Sequence, residues 1–131
     1  MDNEAVEVNI RIKGSSIRNS GFVGKEKDEV LFQRNFEREN FKYDNFYGEE
    51  ADNFNIFESS VKCRLNKFLE GKNVTFYFFG KKDGRYSLFE NNSNLGLGLM
   101  SLEYILEQMS KGIKNNLSMS FLQVHQEKVI I

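Results

Sequence analysis

The feature that most constrains the fold of this chain is an apolar run that leads directly into a glycine-containing loop. Val74–Phe79 reads VTFYFF and is aromatic on both faces, which is typical of a buried strand. Gly80–Ser87 follows as a polar loop with two glycines. Nucleotide-binding folds use a strand that runs into a glycine-rich loop to present backbone N–H groups to phosphate. The pattern therefore makes an anion site at the end of this strand a hypothesis.

Strand patterns occur at both ends of the chain. Val6–Ile12 alternates apolar and polar residues, and Leu117–Val124 alternates in its first half; both patterns predict strands. Val30–Tyr47 is rich in phenylalanine and charge and favours short strands or hairpins. We expect the two terminal strands and Val74–Phe79 to belong to one sheet.

Two helices are predicted between these strands. Apolar residues recur at spacings of three and four within Asp52–Leu69 and again within Leu99–Met109, which places them on one helical face. Asp52 can cap the start of the first helix, and Gly71 can end it in the left-handed conformation. The second helix closes near Gly112. Strands and helices that alternate in this way predict an α/β domain with a mainly parallel sheet.

Length, charge and cysteine content narrow the class of protein. The 131 residues suit a single domain. A net charge of -1 supports neither a nucleic-acid partner nor an anionic membrane. Cys63 is the single cysteine, which rules out an internal disulfide, and His125 is the single histidine, which rules out a metal site with several histidines. No signal peptide or membrane span is recognisable, so we expect a soluble cytoplasmic protein without a metal site.

The loop departs from the standard phosphate-binding motif G-x-x-x-x-G-K-[ST]. Gly80 and Gly84 are separated by three residues instead of four, Arg85 stands in place of lysine, and Tyr86 in place of serine or threonine. A solvated basic turn is the simpler interpretation of Lys81, Lys82 and Arg85. A residual anion site is the functional alternative.

Five segments in order match the motifs of one family. Val6–Gly14 is similar to a first strand followed by R-x-R-P, and Phe41–Tyr47 to F-x-F-D-x-V-F. Leu69–Gly80 looks like L-x-G-Y-N-x-T-I-F-A-Y-G, Gly96–Met100 stands where G-I-I-P-R is expected, and Ser118–Val129 resembles V-S-F-L-E-I-Y-N-E-K-V. Together they resemble the N-terminal third of a kinesin motor domain.

The resemblance implies a fold, a ligand and a partner. The fold would be a partial P-loop NTPase, kinesin-motor-like, with a mainly parallel central sheet flanked by helices, and residues 1–131 would form one domain that is truncated relative to the family. The ligand would be ATP or ADP with Mg²⁺, and the partner would be microtubules of the cytoskeleton. By this resemblance the nucleotide-contacting candidates are Arg11, Lys13, Gly80, Lys81, Lys82, Gly84, Arg85 and Ser87.

Several departures from the family bear on activity. Lys13 lacks the flat guanidinium that stacks on adenine, Asp83 places a negative charge near the phosphates, and Tyr86 has no short hydroxyl for magnesium. The chain ends at Ile131, before the motifs N-x-x-S-S-R-S-H and D-L-A-G-x-E, which supply metal-holding and water-orienting groups in the family. We therefore expect weak or lost Mg-ATP binding and no catalytic residues.

These departures leave three interpretations open. The leading one is a reduced motor-domain scaffold, without its own ATPase activity, that acts in microtubule or cytoskeletal binding or as a structural partner. The second is the N-terminal part of an active ATP-hydrolysing microtubule motor whose remainder lies on another chain or is missing. The third is a phosphate-loop fold reused for an unrelated interaction.

The resemblance also predicts bare apolar surface. In the kinesin fold, the strand that resembles Leu117–Val124 is not a neighbour of the one that resembles Val74–Phe79. We therefore expect a partner subunit, self-association or a rearranged sheet, because exposed strand edges pair readily with other chains. The residues expected to be uncovered include Phe76, Phe78, Met119 and Phe121.

Overall fold

A computed structural model describes residues 6–12, 22–26, 28–80, 87–89, 95–112, 116–126 and 128–130 of the 131-residue chain. Along these ranges five strands come first, the helices follow, and two further strands come last. The strands are β1 (Asn9–Arg11), β2 (Phe22–Glu26), β3 (Glu29–Arg34), β4 (Glu37–Lys42), β5 (Asn45–Tyr47), β6 (Gln123–His125) and β7 (Lys128–Ile130). The helices are α1 (Asn53–Ile56), which continues through one π-helical segment (Phe57–Val61) into α2 (Lys62–Leu69), and α3 (Leu97–Ser110).

The strands of the described ranges form three small sheets. β1 and β5 pair in parallel, with Ile10 opposite Phe46. The pairing continues past β1, since the Ile12 N–H donates to the Tyr47 carbonyl over 2.9 Å. β2, β3 and β4 form an antiparallel sheet in that order, and β6 pairs with β7 in an antiparallel hairpin. The short strands predicted within Val30–Tyr47 are therefore confirmed, and Val6–Ile12 contains a strand as predicted.

The helix predicted over Asp52–Leu69 is present as α1, the π-helical segment and α2. Asp52 caps its start, because the Asp52 carboxylate accepts the Asn55 N–H over 2.8 Å. Gly71 follows its end with φ +90°, a conformation that costs glycine little. The predicted second helix is α3, and Gly112 (φ +121°) follows it. Both helix predictions are confirmed.

The main core lies where these helices meet. Its buried side chains come from the face of α1, the π-helical segment and α2 that turns toward α3, and from the first residue of α3: Ile56, Phe57, Val61, Leu65 and Leu97. Tyr47, Met100, Tyr104 and Ile105 pack against them. A second buried point is Val30 in β3, which has no exposed surface. The parallel pair β1–β5 is attached to this core through Tyr47.

The prediction of one sheet containing Val6–Ile12, Val74–Phe79 and Leu117–Val124 is wrong for the described residues. Val74–Phe79 forms no strand with any described residue, and of Leu117–Val124 only the part in β6 is paired. A strand exists only with a neighbour to take its N–H and C=O groups, and within the described ranges no strand pairs with residues 74–79 or 117–122. Aromatic residues on both faces of Val74–Phe79 predict burial, yet these side chains are exposed. The expected exposure of Phe76, Phe78, Met119 and Phe121 is confirmed.

Candidate functional site

The site is organised around the guanidinium of Arg11 at the end of β1. One of its terminal nitrogens donates to the Asn53 side-chain oxygen over 2.6 Å and to the Ser87 hydroxyl over 2.7 Å. The other donates to the Ala51 carbonyl over 3.3 Å. Ser87 and Asn53 are both buried. Arg11 therefore ties the end of a strand to the start of a helix and to the segment that follows the candidate phosphate loop.

Asn53 extends this arrangement to the start of α3. Its side-chain amide nitrogen donates to the Leu95 carbonyl over 3.0 Å. We call Arg11, Ala51, Asn53, Ser87 and Leu95 the Arg11 cluster. The cluster joins four segments that are distant in sequence, and no buried side-chain polar atom of the described residues lacks a hydrogen bond. The arrangement fixes these segments relative to one another.

Sequence reasoning missed two residues that shape this region. Asn53 was not singled out, although an amide directly after the helix cap is a recognisable signal. Gly98 of α3 lies against Leu88, where an added Cβ would come within 3.0 Å of the leucine Cδ1 and 3.2 Å of its carbonyl oxygen. A glycine in the first turn of a helix is otherwise unfavourable, which could have marked it as a packing position.

Three predicted nucleotide-contacting residues lie within the described part of the chain. Arg11 and Ser87 come together in the Arg11 cluster, and Gly80 (φ +152°) lies on the exposed surface after Phe79. The other five predicted residues lie outside the described residues: Lys13, Lys81, Lys82, Gly84 and Arg85. Of the predicted residues that the structure describes, Arg11 and Ser87 are thus in contact with each other.

The described residues do not fit a magnesium ion at Ser87. Ser87 is the serine next to the motif position at which a hydroxyl would hold the metal, but its hydroxyl accepts a hydrogen bond from the Arg11 guanidinium over 2.7 Å. A magnesium ion bound to this hydroxyl would lie close to the positive guanidinium and be repelled by it in a part-buried site. Within the described ranges, no group of three or more His, Cys, Asp or Glu side chains could hold a metal ion.

A second polar network lies beside the first, at the start of β1. The Glu7 carboxylate accepts from the Asn9 and Asn45 amides over 3.0 and 2.9 Å and from Arg64 over 2.7 Å. Burial by itself would raise the pKa of Glu7, but hydrogen bonds from Arg64, Asn9 and Ser60 and the charge of Arg64 together lower the pKa below its ordinary value. The ionised Glu7 carboxylate therefore holds α2 against the parallel pair β1–β5.

Comparison with known families gives one clear match. The kinesin motor domain family matches this chain over residues 4–130. A yeast kinesin-like protein, KIP2 of Saccharomyces cerevisiae, is 27% identical over 96 residues, which are 68% of this chain and 14% of the relative. The zebrafish (Danio rerio) kinesin-like protein KIF22 is 24% identical over 127 residues, which are 90% of this chain and 20% of the relative. The chain thus spans a fifth or less of each relative.

Solved structures give the same fold. A KIF14 motor segment, with ADP and in complex with a microtubule, superposes with a TM-score of 0.67 at 17% identity. The match covers 95% of this chain and 39% of that one. The predicted fold class, a kinesin-motor-like P-loop NTPase fold, is confirmed by this likeness. None of the helices in the described ranges is both long and apolar enough to cross a membrane.

Proposed function

The chain belongs to the kinesin motor domain family, and from this premise we propose that it is a motor-domain scaffold that binds microtubules and has no ATPase activity of its own. Its place would be the cytoplasm, at the cytoskeleton, and ATP or ADP with Mg²⁺ would bind weakly or not at all. The microtubule partner follows from the family, and a microtubule-bound member shares the fold.

The observation that carries this proposal is the bond between Arg11 and Ser87. Nucleotide hydrolysis depends on groups that hold Mg²⁺ and orient water. Here the Ser87 hydroxyl is 2.7 Å from a guanidinium nitrogen and is buried against it. The Asn53 and Ala51 oxygens hold the same guanidinium. In these contacts Arg11 and Ser87 hold distant segments of the chain together. This supports a structural role for the two residues rather than a role in binding nucleotide.

Two measurements on the purified chain test this proposal. Co-sedimentation with taxol-stabilised microtubules should show saturable binding, and titration calorimetry with Mg-ATP should show no binding in the micromolar range. An active kinesin motor domain serves as the positive control in both. A micromolar dissociation constant for Mg-ATP would contradict the loss of nucleotide binding, and a chain that stays in the supernatant would contradict the microtubule partner.

A second candidate function has one observation in its favour. The chain spans 14% and 20% of its two curated relatives and 39% of the matched structure, which is what the N-terminal part of an active motor would show. Under this alternative the rest of the motor lies on another chain or on sequence beyond the 131 residues. Micromolar Mg-ATP binding would favour this alternative over the scaffold.

A further inference from the structure

We draw no further inference here: the strongest candidate, the surface patch at the tip of the β3–β4 hairpin where Phe36 is 98% exposed at a positive φ, carries nothing because no feature of the described residues shows what covers it.

Discussion

At the scale of single residues, Arg11 is more important for stability than its position at the end of a short strand indicates. It donates to the side chains of Asn53 and Ser87, both buried. Arg11→Ala should lower the free energy of unfolding by about 2 kcal/mol, because buried polar groups lose a charged partner. Urea denaturation measures the loss. Arg38→Ala, at an exposed position of β4, is the control and should change stability by less than about 0.5 kcal/mol; equal losses would contradict the role given to Arg11.

The Glu7–Arg64 ion pair predicts a pH dependence. The pKa of Glu7 is lowered in the folded chain because its hydrogen bonds and the charge of Arg64 outweigh the effect of burial. A lowered pKa gives stability that is present above the ordinary pKa of a glutamate and is lost as the pH falls through the folded value. Glu7→Gln should therefore cost about 1–2 kcal/mol at pH 7 and progressively less in acid.

Thermal melts of the unmodified chain and of Glu7→Gln from pH 7 to pH 3 measure whether the stability difference between them shrinks as the pH falls. Glu58→Gln is the matched control, since Glu58 forms an ion pair with Lys62 over 3.1 Å in which both side chains are more than a third exposed. Exposed pairs of this type contribute little. A Glu7→Gln penalty that stayed constant down to pH 3 would contradict the ionic origin of the effect.

At the scale of secondary structure, the hairpin between β3 and β4 is strained at its tip. Arg34 pairs with Glu37, so the loop consists of Asn35 and Phe36, and both have positive φ (50° and 74°). Asparagine tolerates this backbone conformation, whereas it is energetically unfavourable for a bulky residue such as Phe36. Phe36→Gly should raise the free energy of unfolding by about 0.5–1 kcal/mol.

Phe36→Ala is the control for this substitution because it removes the ring but keeps the Cβ that causes the strain. It should give no gain in urea denaturation. The ring of Phe36 is almost fully exposed, so its loss costs little packing. If both variants lost stability equally, the ring would have a packing role that its exposure does not indicate.

At the scale of the whole molecule, the segment of residues 73–79, with its exposed aromatic side chains, lowers solubility. Residues 73–79 are uncharged, rich in aromatic residues and free of proline, which is the pattern of segments that stack into cross-β aggregates. Phe79→Lys should raise the soluble concentration of the free chain and leave its melting temperature unchanged, because Phe79 is exposed. Phe57→Ala is the contrasting variant and should cost about 3–5 kcal/mol, since Phe57 is in the core. A lowered melting temperature for Phe79→Lys would contradict the unpaired state of this segment.

Local sequence patterns were sufficient to predict the helices, their ends and the family. Asp52 caps the first helix, Gly71 ends it, and the apolar spacing of α3 places Ile105 toward the core. These features could be predicted because caps and periodicity act between residues a few positions apart. The motif order was likewise sufficient to identify the kinesin motor domain family.

The pairing of the strands and the partners of Arg11 could not be predicted from local sequence, because both depend on the folded chain. The residues of Val74–Phe79 have a high propensity for β-structure. A strand forms only beside another strand, however, and the residues of one segment cannot specify whether a neighbouring strand is present. Arg11 is likewise of a residue type expected at a nucleotide contact. Its observed partners Asn53 and Ser87 lie 42 and 76 residues away in the sequence. Such contacts depend on how distant segments pack. The local sequence specifies the conformation of each segment, whereas the folded chain as a whole decides which segments become neighbours.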